Sequence, residues 1–73
     1  MIDQKTVCQA LGKELGVAPK WDGDTCVIEN EDAVLRIDRN AAVEMKVKNP
    51  EKGKELVKIV RKVYLGNGAG RTE

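Results

Sequence analysis

The chain has 73 residues, a net charge of +1, and no His, Ser or Phe. This composition excludes a Ser–His–Asp triad, a Cys–His pair and any metal site with His ligands within the chain. Because a chain of this size buries only about 60% of its unfolded surface, we expect one small core without room for a cofactor cavity.

The first predicted element is a helix over residues 3–15. Asp3 is placed to cap this helix, since its carboxylate can accept hydrogen bonds from the free amides of the first turn. The apolar residues recur at spacings that gather them on one face, and they are Val7, Cys8, Leu11 and Leu15. Gly16 followed by Val17 predicts a Schellman stop, with the glycine in the left-handed conformation.

A loop at Pro19 and residues 22–24 separates this helix from three segments that alternate between apolar and polar side chains. The segments span residues 25–29, 33–38 and 42–48. This alternation predicts strands with one dry face and one mostly wet face. The gaps between the segments are short enough for hairpins, and they contain Asn30 and Asn40, residues that tolerate a positive φ.

Asn49 and Pro50 mark the start of a second helix, because Asn is a good cap and Pro suits the first helical position. We expect this helix to run to about Leu65 and to end at Gly66. The predicted fold class is α+β, in the order α-β-β-β-α. It is a two-layer sandwich of a three-stranded antiparallel meander with both helices on its dry face. The single domain covers residues 1–66, and residues 67–73 are predicted to be a disordered tail.

The two cysteines, Cys8 and Cys26, are too few for a disulfide framework and wrongly spaced for a zinc knuckle. We expect two buried thiols that behave as small apolar side chains. The first 25 residues contain no apolar run of signal-peptide length, and no stretch approaches the ~20 apolar residues that span a bilayer. The sequence therefore predicts a cytoplasmic protein without membrane contact.

Charge is unevenly distributed: residues 1–45 carry a net charge of −4, and residues 46–73 carry +5. The cations of the second part follow the last strand and the last helix, and they are Lys46, Lys48, Lys52, Lys54, Lys58, Arg61 and Lys62. Since a helix N-terminus also offers free amides, this corner is predicted to contact the phosphates of a nucleic acid. The order α-β-β-β-α resembles that of double-stranded-RNA-binding domains. The chain lacks that family's Gly-Pro-His loop and Lys-Lys-x-Ala-Lys run, so the likeness covers element order alone.

A solvated helix face is the alternative interpretation of these cations. Pairs between Glu51 and Lys54 and between Glu55 and Lys58 would partly neutralise it, and the overall charge is near zero. Stacking on bases has little support, because the only aromatic residues are Trp21 and Tyr64. We expect the tryptophan to form a lid over one end of the core.

A second group of residues is acidic and suggests weak Ca²⁺ or Mg²⁺ binding, and it comprises Asp22, Asp24, Glu29, Glu31 and Asp32. Solvated loop charge is the favoured interpretation of the group, because Glu29 to Asp32 lie at a hairpin tip and need not converge with Asp22. Catalysis has the least support, since Cys8 lies beyond the first helical turn and Cys26 points inward.

The leading functional prediction is a small non-catalytic interaction module that pairs with itself or with another protein, through a sheet edge or the outer sheet face. The alternatives are a nucleic-acid-binding module that uses the seven cations and a weak Ca²⁺- or Mg²⁺-binding protein. We predict no enzymatic activity, no cofactor and no small-molecule substrate.

Overall fold

The computed structural model describes residues 3–66 of the chain. In chain order the elements are α1 (Gln4–Leu15), β1 (Lys20–Asp22), β2 (Thr25–Glu29), β3 (Ala33–Ile37), β4 (Val43–Val47), a 3₁₀ turn (Pro50–Lys52) and α2 (Gly53–Gly66). The strands form one antiparallel sheet in the order β1-β2-β3-β4. The α+β class and the antiparallel sheet are confirmed, but the sheet has four strands where three were predicted.

The additional strand is β1, which the sequence analysis assigned to a loop. Trp21 lies opposite Cys26 in the pairing of β1 with β2. Gly23, with a φ of +63°, occupies the first central position of the two-residue turn, where a primed hairpin turn favours glycine. Three residues are too few to show alternation. With this strand the element order is α-β-β-β-β-α, which no longer resembles that of double-stranded-RNA-binding domains. Trp21 is 51% exposed at this edge of the sheet, so it does not form the predicted lid over the core.

Both predicted ends of α1 are confirmed. The Asp3 carboxylate accepts a hydrogen bond from the Thr6 amide at 2.8 Å. Gly16 has a φ of +68°, and the Val17 amide donates to the carbonyl of Gly12 at 2.9 Å, as in a Schellman motif. A side chain at Gly12 would place its Cβ only 2.8 Å from the Val17 carbonyl oxygen, which explains a glycine inside the helix.

Side-chain oxygens stabilise the β2–β3 turn and the β3–β4 turn. The carboxamide oxygen of Asn30 accepts from two backbone amides, at 2.8 and 3.0 Å. In the next turn the Asp38 carboxylate accepts from two backbone amides at the same distances. Among residues 3–66 the non-glycine residue with a positive φ is Ala41, at +67°, so the expected role of both Asn30 and Asn40 is wrong. The Asp38 carboxylate stabilises this turn, and the residue in the left-handed conformation is the one that follows Asn40.

The core lies between the dry face of the sheet and the helices. Its buried members come from α1, the two central strands, the β3–β4 turn and α2, and they are Val7, Cys8, Leu11, Cys26, Ile28, Ala33, Leu35, Ile37, Ala41, Leu56 and Val63. The cysteines are buried as predicted, but they are not thiols: Cys8 and Cys26 form a disulfide with their Cα atoms 6.3 Å apart. The packing of α1 on β2 brings them together, and sequence spacing gives no sign of this.

The predicted start of the second helix is confirmed, with one added detail. The Asn49 side chain accepts from the Glu51 amide at 3.2 Å, and a 3₁₀ turn precedes α2. At the other end, the Tyr64 hydroxyl donates to the carbonyl of Ala41. Helix α2 therefore runs from the end of β4 back to the β3–β4 turn. The tail predicted over residues 67–73 lies outside the described residues. Within residues 3–66, neither helix is long and apolar enough to cross a membrane.

Candidate interaction surface

The structure distributes the seven predicted phosphate-binding cations over different parts of the surface. Lys46 and Lys48 belong to the outer face of the sheet, because Lys46 lies opposite the outward-facing Val34 in the β3–β4 register and Lys48 is two residues further along. The Lys48 ammonium contacts the Glu29 carboxylate at 2.6 Å. This hydrogen bond and charge lower the pKa of the Glu29 carboxyl below its ordinary value. Lys48 is therefore engaged within the sheet.

Two further cations of the predicted set are paired on the helices. The Lys62 ammonium lies 3.3 Å from the Glu14 carboxylate and so links α2 to α1. Lys52 lies 3.8 Å from Glu55. This last contact corrects the expected neutralisation, because Glu55 pairs with the lysine three residues before it instead of with Lys58.

The remaining three cations line one shallow, open depression, which we call the groove. Lys54, Lys58 and Arg61 are four and three residues apart, so they share a face of α2. They border an opening between α2 and the end of β4, whose other lining residues are Val47, Pro50, Gly53 and Val57. Within residues 3–66, none of the three cations forms an ion pair with a carboxylate. The groove is therefore positively charged and not neutralised by its own surroundings.

The floor of this groove is apolar and accessible. Val47 is 37% exposed and Val57 is 44% exposed, and the two valines lie on opposite sides of the opening. The buried residues of α2 are Leu56 and Val63, which face the core. Helix α2 directs this face to the core and also packs against α1. The end of β4 is therefore left partly uncovered by α2. An apolar floor beneath a cationic rim is thus a feature of the tertiary packing.

Strand β4 is also an open edge of the sheet, since it pairs only with β3. Two hydrogen bonds just beyond the ends of β4 show which of its residues bond to β3. The Lys48 amide donates to the Asp32 carbonyl, and the Asp38 amide donates to the Ala42 carbonyl. In an antiparallel ladder, hydrogen-bonded residues alternate along the strand. Even-numbered residues of β4 therefore bond to β3, and odd-numbered residues direct their amides and carbonyls away from the sheet. The outward-directed residues are Val43, Met45 and Val47.

The open edge of β4 and the adjoining groove together form the surface that we call the β4–α2 flank. It combines unpaired strand groups, exposed valines and three free cations. Sequence analysis identified its cations and named sheet edges as a candidate surface, but it did not identify the groove. The exposed Val57 could not be singled out from the apolar stripe of the helix without knowing how α2 sits on α1.

The acidic residues suggested as a cation site are drawn apart by the sheet. Asp22 pairs with Arg36 at 3.3 Å, Asp24 lies 3.9 Å from Arg39, and the Glu29 carboxylate is held by a lysine. Across the part of the chain that the structure describes, no three His, Cys, Asp or Glu side chains are grouped so that they could hold a metal ion. The Asp22, Asp24 and Glu29 carboxylates instead pair with cations of β3, of the β3–β4 turn and of the segment after β4.

The groups with shifted pKa values are scattered and do not converge on one cleft. The hydrogen bond from the Thr6 amide lowers the pKa of Asp3 at the start of α1. Burial raises the pKa of the Tyr64 hydroxyl, and the nearby Asp38 adds to that shift. Both cysteines are consumed by the disulfide, so neither is a nucleophile in this state.

Comparisons with protein-family models, with curated proteins and with solved structures gave no match.

Proposed function

We propose that this protein is a non-catalytic interaction module that binds a protein chain along the β4–α2 flank. The observation that carries the proposal is the coincidence of an open strand edge with exposed apolar side chains. Open edges recruit further strands, and adjoining apolar side chains add the area that such pairing needs. The exposed Val47 belongs to both features, because it lies on the edge strand and in the groove.

The chemistry of the flank favours a protein partner over a nucleic acid. The apolar side chains that line it are those of valine and proline, which offer no aromatic ring on which a base could stack. The two aromatic side chains lie elsewhere: Trp21 is on β1 at the opposite edge, and the Tyr64 hydroxyl is bound to the β3–β4 turn. Three of the seven candidate cations, Lys48, Lys52 and Lys62, are already paired with carboxylates.

Two matched variants on α2 test the proposal. Val57→Glu places a charge on the groove floor, whereas Leu65→Glu places the same charge on the same helix outside the groove. The two side chains are almost equally exposed, at 44% and 45%. We expect β4 and groove signals of the dilute ¹⁵N-labelled protein to shift or broaden when excess unlabelled protein of the same sequence, or unlabelled extract of its source cells, is added. Val57→Glu should abolish the change and Leu65→Glu should preserve it. A wild-type spectrum that neither addition changes, or equal effects of the two variants, would refute the proposal.

Nucleic-acid binding is the second candidate function, and it is supported by the three unpaired cations on one face of α2. The test is fluorescence anisotropy with a short mixed-sequence duplex at low salt. Lys54→Gln combined with Lys58→Gln should weaken binding, and binding should fall steeply as salt is raised. Lys5→Gln combined with Lys13→Gln, on α1, is the matched control. Equal losses in both double variants would exclude the groove as the binding site.

The disulfide bears on the compartment that belongs to this proposal. Disulfides persist in oxidising compartments, and inside cells they are abundant chiefly in hyperthermophiles. The predicted cytoplasmic location therefore requires a cell of that kind. In any other cell the Cys8–Cys26 bond favours an oxidising compartment.

A further inference from the structure

We infer that the strand that pairs with β4 is β4 of a second copy of this chain, in an antiparallel register centred on Met45. This inference rests on the proposed function and names the partner. Three steps lead to this register: the direction of the backbone groups, the charges on the outer sheet face and the apolar residues on the helix side.

The first step concerns hydrogen bonding. The residues of β4 that direct their backbone groups outward are the odd-numbered ones, as the flanking hydrogen bonds establish. A two-fold axis beside Met45 places Val43 opposite Val47 of the second copy and Met45 opposite its own equivalent. The hydrogen-bonded pairs of this register are therefore Val43 with Val47 and Met45 with its own equivalent. The amides and carbonyls of these residues are not used in pairing with β3.

The second step concerns charge. In the same register Glu44 lies opposite Lys46 of the second copy, and the symmetry creates this pair twice. These are the non-hydrogen-bonded positions of the ladder, where facing side chains come closest. Within residues 3–66, neither Glu44 nor Lys46 forms an ion pair. Both charges are therefore free to pair across the interface.

Neighbouring registers are disfavoured by the same two residues. Moving the axis to residue 44 places Glu44 opposite its own equivalent, and moving it to residue 46 places Lys46 opposite its own equivalent. Like charges at facing positions destabilise a strand pair. Sliding one strand along the other by an odd number of residues would place the helix-side residues of one copy on the outer face. Among the registers compared, the one centred on Met45 pairs both Glu44 and Lys46 with opposite charges and creates no like-charged pair.

The third step concerns the apolar face. Val43, Met45 and Val47 lie opposite the inward-facing residues of β3, so they belong to the helix side of the sheet. The two-fold pairing joins the apolar helix-side residues of both copies into one continuous row. It also covers Val47, which is 37% exposed in the isolated chain. One term opposes the pairing, because the two groove rims, each with Lys54, Lys58 and Arg61, come to lie on the same side of the continued sheet.

Charge exchange on β4 tests this register. Sedimentation velocity over about a hundred-fold range of concentration should show the wild-type mass rising from 8.0 kDa toward twice that value. Glu44→Lys and Lys46→Glu, made separately, should each weaken association by creating like-charged facing pairs. The two single variants should associate with each other when mixed, and the double variant should recover wild-type behaviour.

A variant outside β4 separates this partner from other occupants of the flank. Lys58→Gln removes a groove cation, so it should leave self-association unchanged or tighten it, whereas it should weaken binding of nucleic acid or of an acidic protein. A wild-type protein that stays at 8.0 kDa at every concentration overturns the inference. Association that is insensitive to the exchange of Glu44 and Lys46 overturns it as well. Neither result decides the proposed function, which the Val57→Glu and Leu65→Glu comparison in cell extract tests separately.

Discussion

Reduction of the disulfide between Cys8 and Cys26 should strongly destabilise this protein. The bond joins α1 to β2, and both cysteines are almost completely buried. A crosslink of this kind acts mainly on the unfolded chain, whose conformational freedom it restricts. Breaking it returns that freedom to the unfolded state while most contacts of the folded state remain. Stability should therefore fall even if the reduced protein keeps the same fold.

The sequence separation of the two cysteines sets the size of the effect. A separation of 18 residues corresponds to about 3 kcal/mol of loop-closure free energy at 25 °C in the chain-entropy treatment. A chain of this length is expected to have a total free energy of unfolding of only ~4–11 kcal/mol. The bond thus accounts for a large fraction of it. The corresponding decrease in Tm is about 12–24 °C for a domain of this size.

The assay is thermal unfolding followed by circular dichroism, with the oxidised protein, the reduced protein and the Cys8→Ala/Cys26→Ala variant compared at one pH. The reduced protein and the double variant should both melt well below the oxidised protein. Thiol alkylation and mass spectrometry of the native protein should detect no free cysteine before reduction. A reduced protein that melts within about 3 °C of the oxidised form would refute the reasoning. Two alkylated thiols in the untreated protein would refute it also.

Three further predictions concern the helix ends. Gly16→Ala should lower the free energy of unfolding by about 1 kcal/mol, because a Cβ is strained at a φ of +68°. Gly53→Ala should raise the free energy of unfolding by about 0.4–1 kcal/mol, since Gly53 is helical with open space around it. Urea-denaturation midpoints equal to that of the wild type would contradict both expectations. The pKa of Asp3 is lowered from 3.8 by its hydrogen bond to the Thr6 amide, so its stabilising effect is complete above that value and is lost as the pH falls through the lowered pKa. Asp3→Asn should therefore flatten the acid side of the stability profile, and an unaltered profile would exclude this role.

The elements that could be predicted from sequence were those with a local physical cause. The Asp3 cap, the Gly16 stop and the Asn49 cap each depend on hydrogen bonds within a few residues, and the structure confirms all three. The alternation in residues 25–48 likewise showed which side chains lie on the helix side of the sheet. The short strand β1 was missed because it is stabilised by its pairing with β2, and its own three residues carry no periodic signal.

The candidate surface was only partly predictable, because it depends on contacts between distant segments. The charge pattern identified Lys54, Lys58 and Arg61, which the structure brings to one groove. It could not show that Lys62 is paired with Glu14 on the other helix. Such pairings are decided by the packing of α2 on α1, which no spacing within α2 reports.

The sequence by itself determined the α+β class, the helix ends and the inward-facing residues of three strands, because capping and periodicity act over a few neighbouring residues. Only the tertiary structure decided the rest. It placed Cys8 beside Cys26, left Val47 and Val57 exposed, and made β4 an open edge with a defined set of outward-directed backbone groups. Each of these facts depends on how elements far apart in the chain pack together, and that packing is settled by the whole core at once.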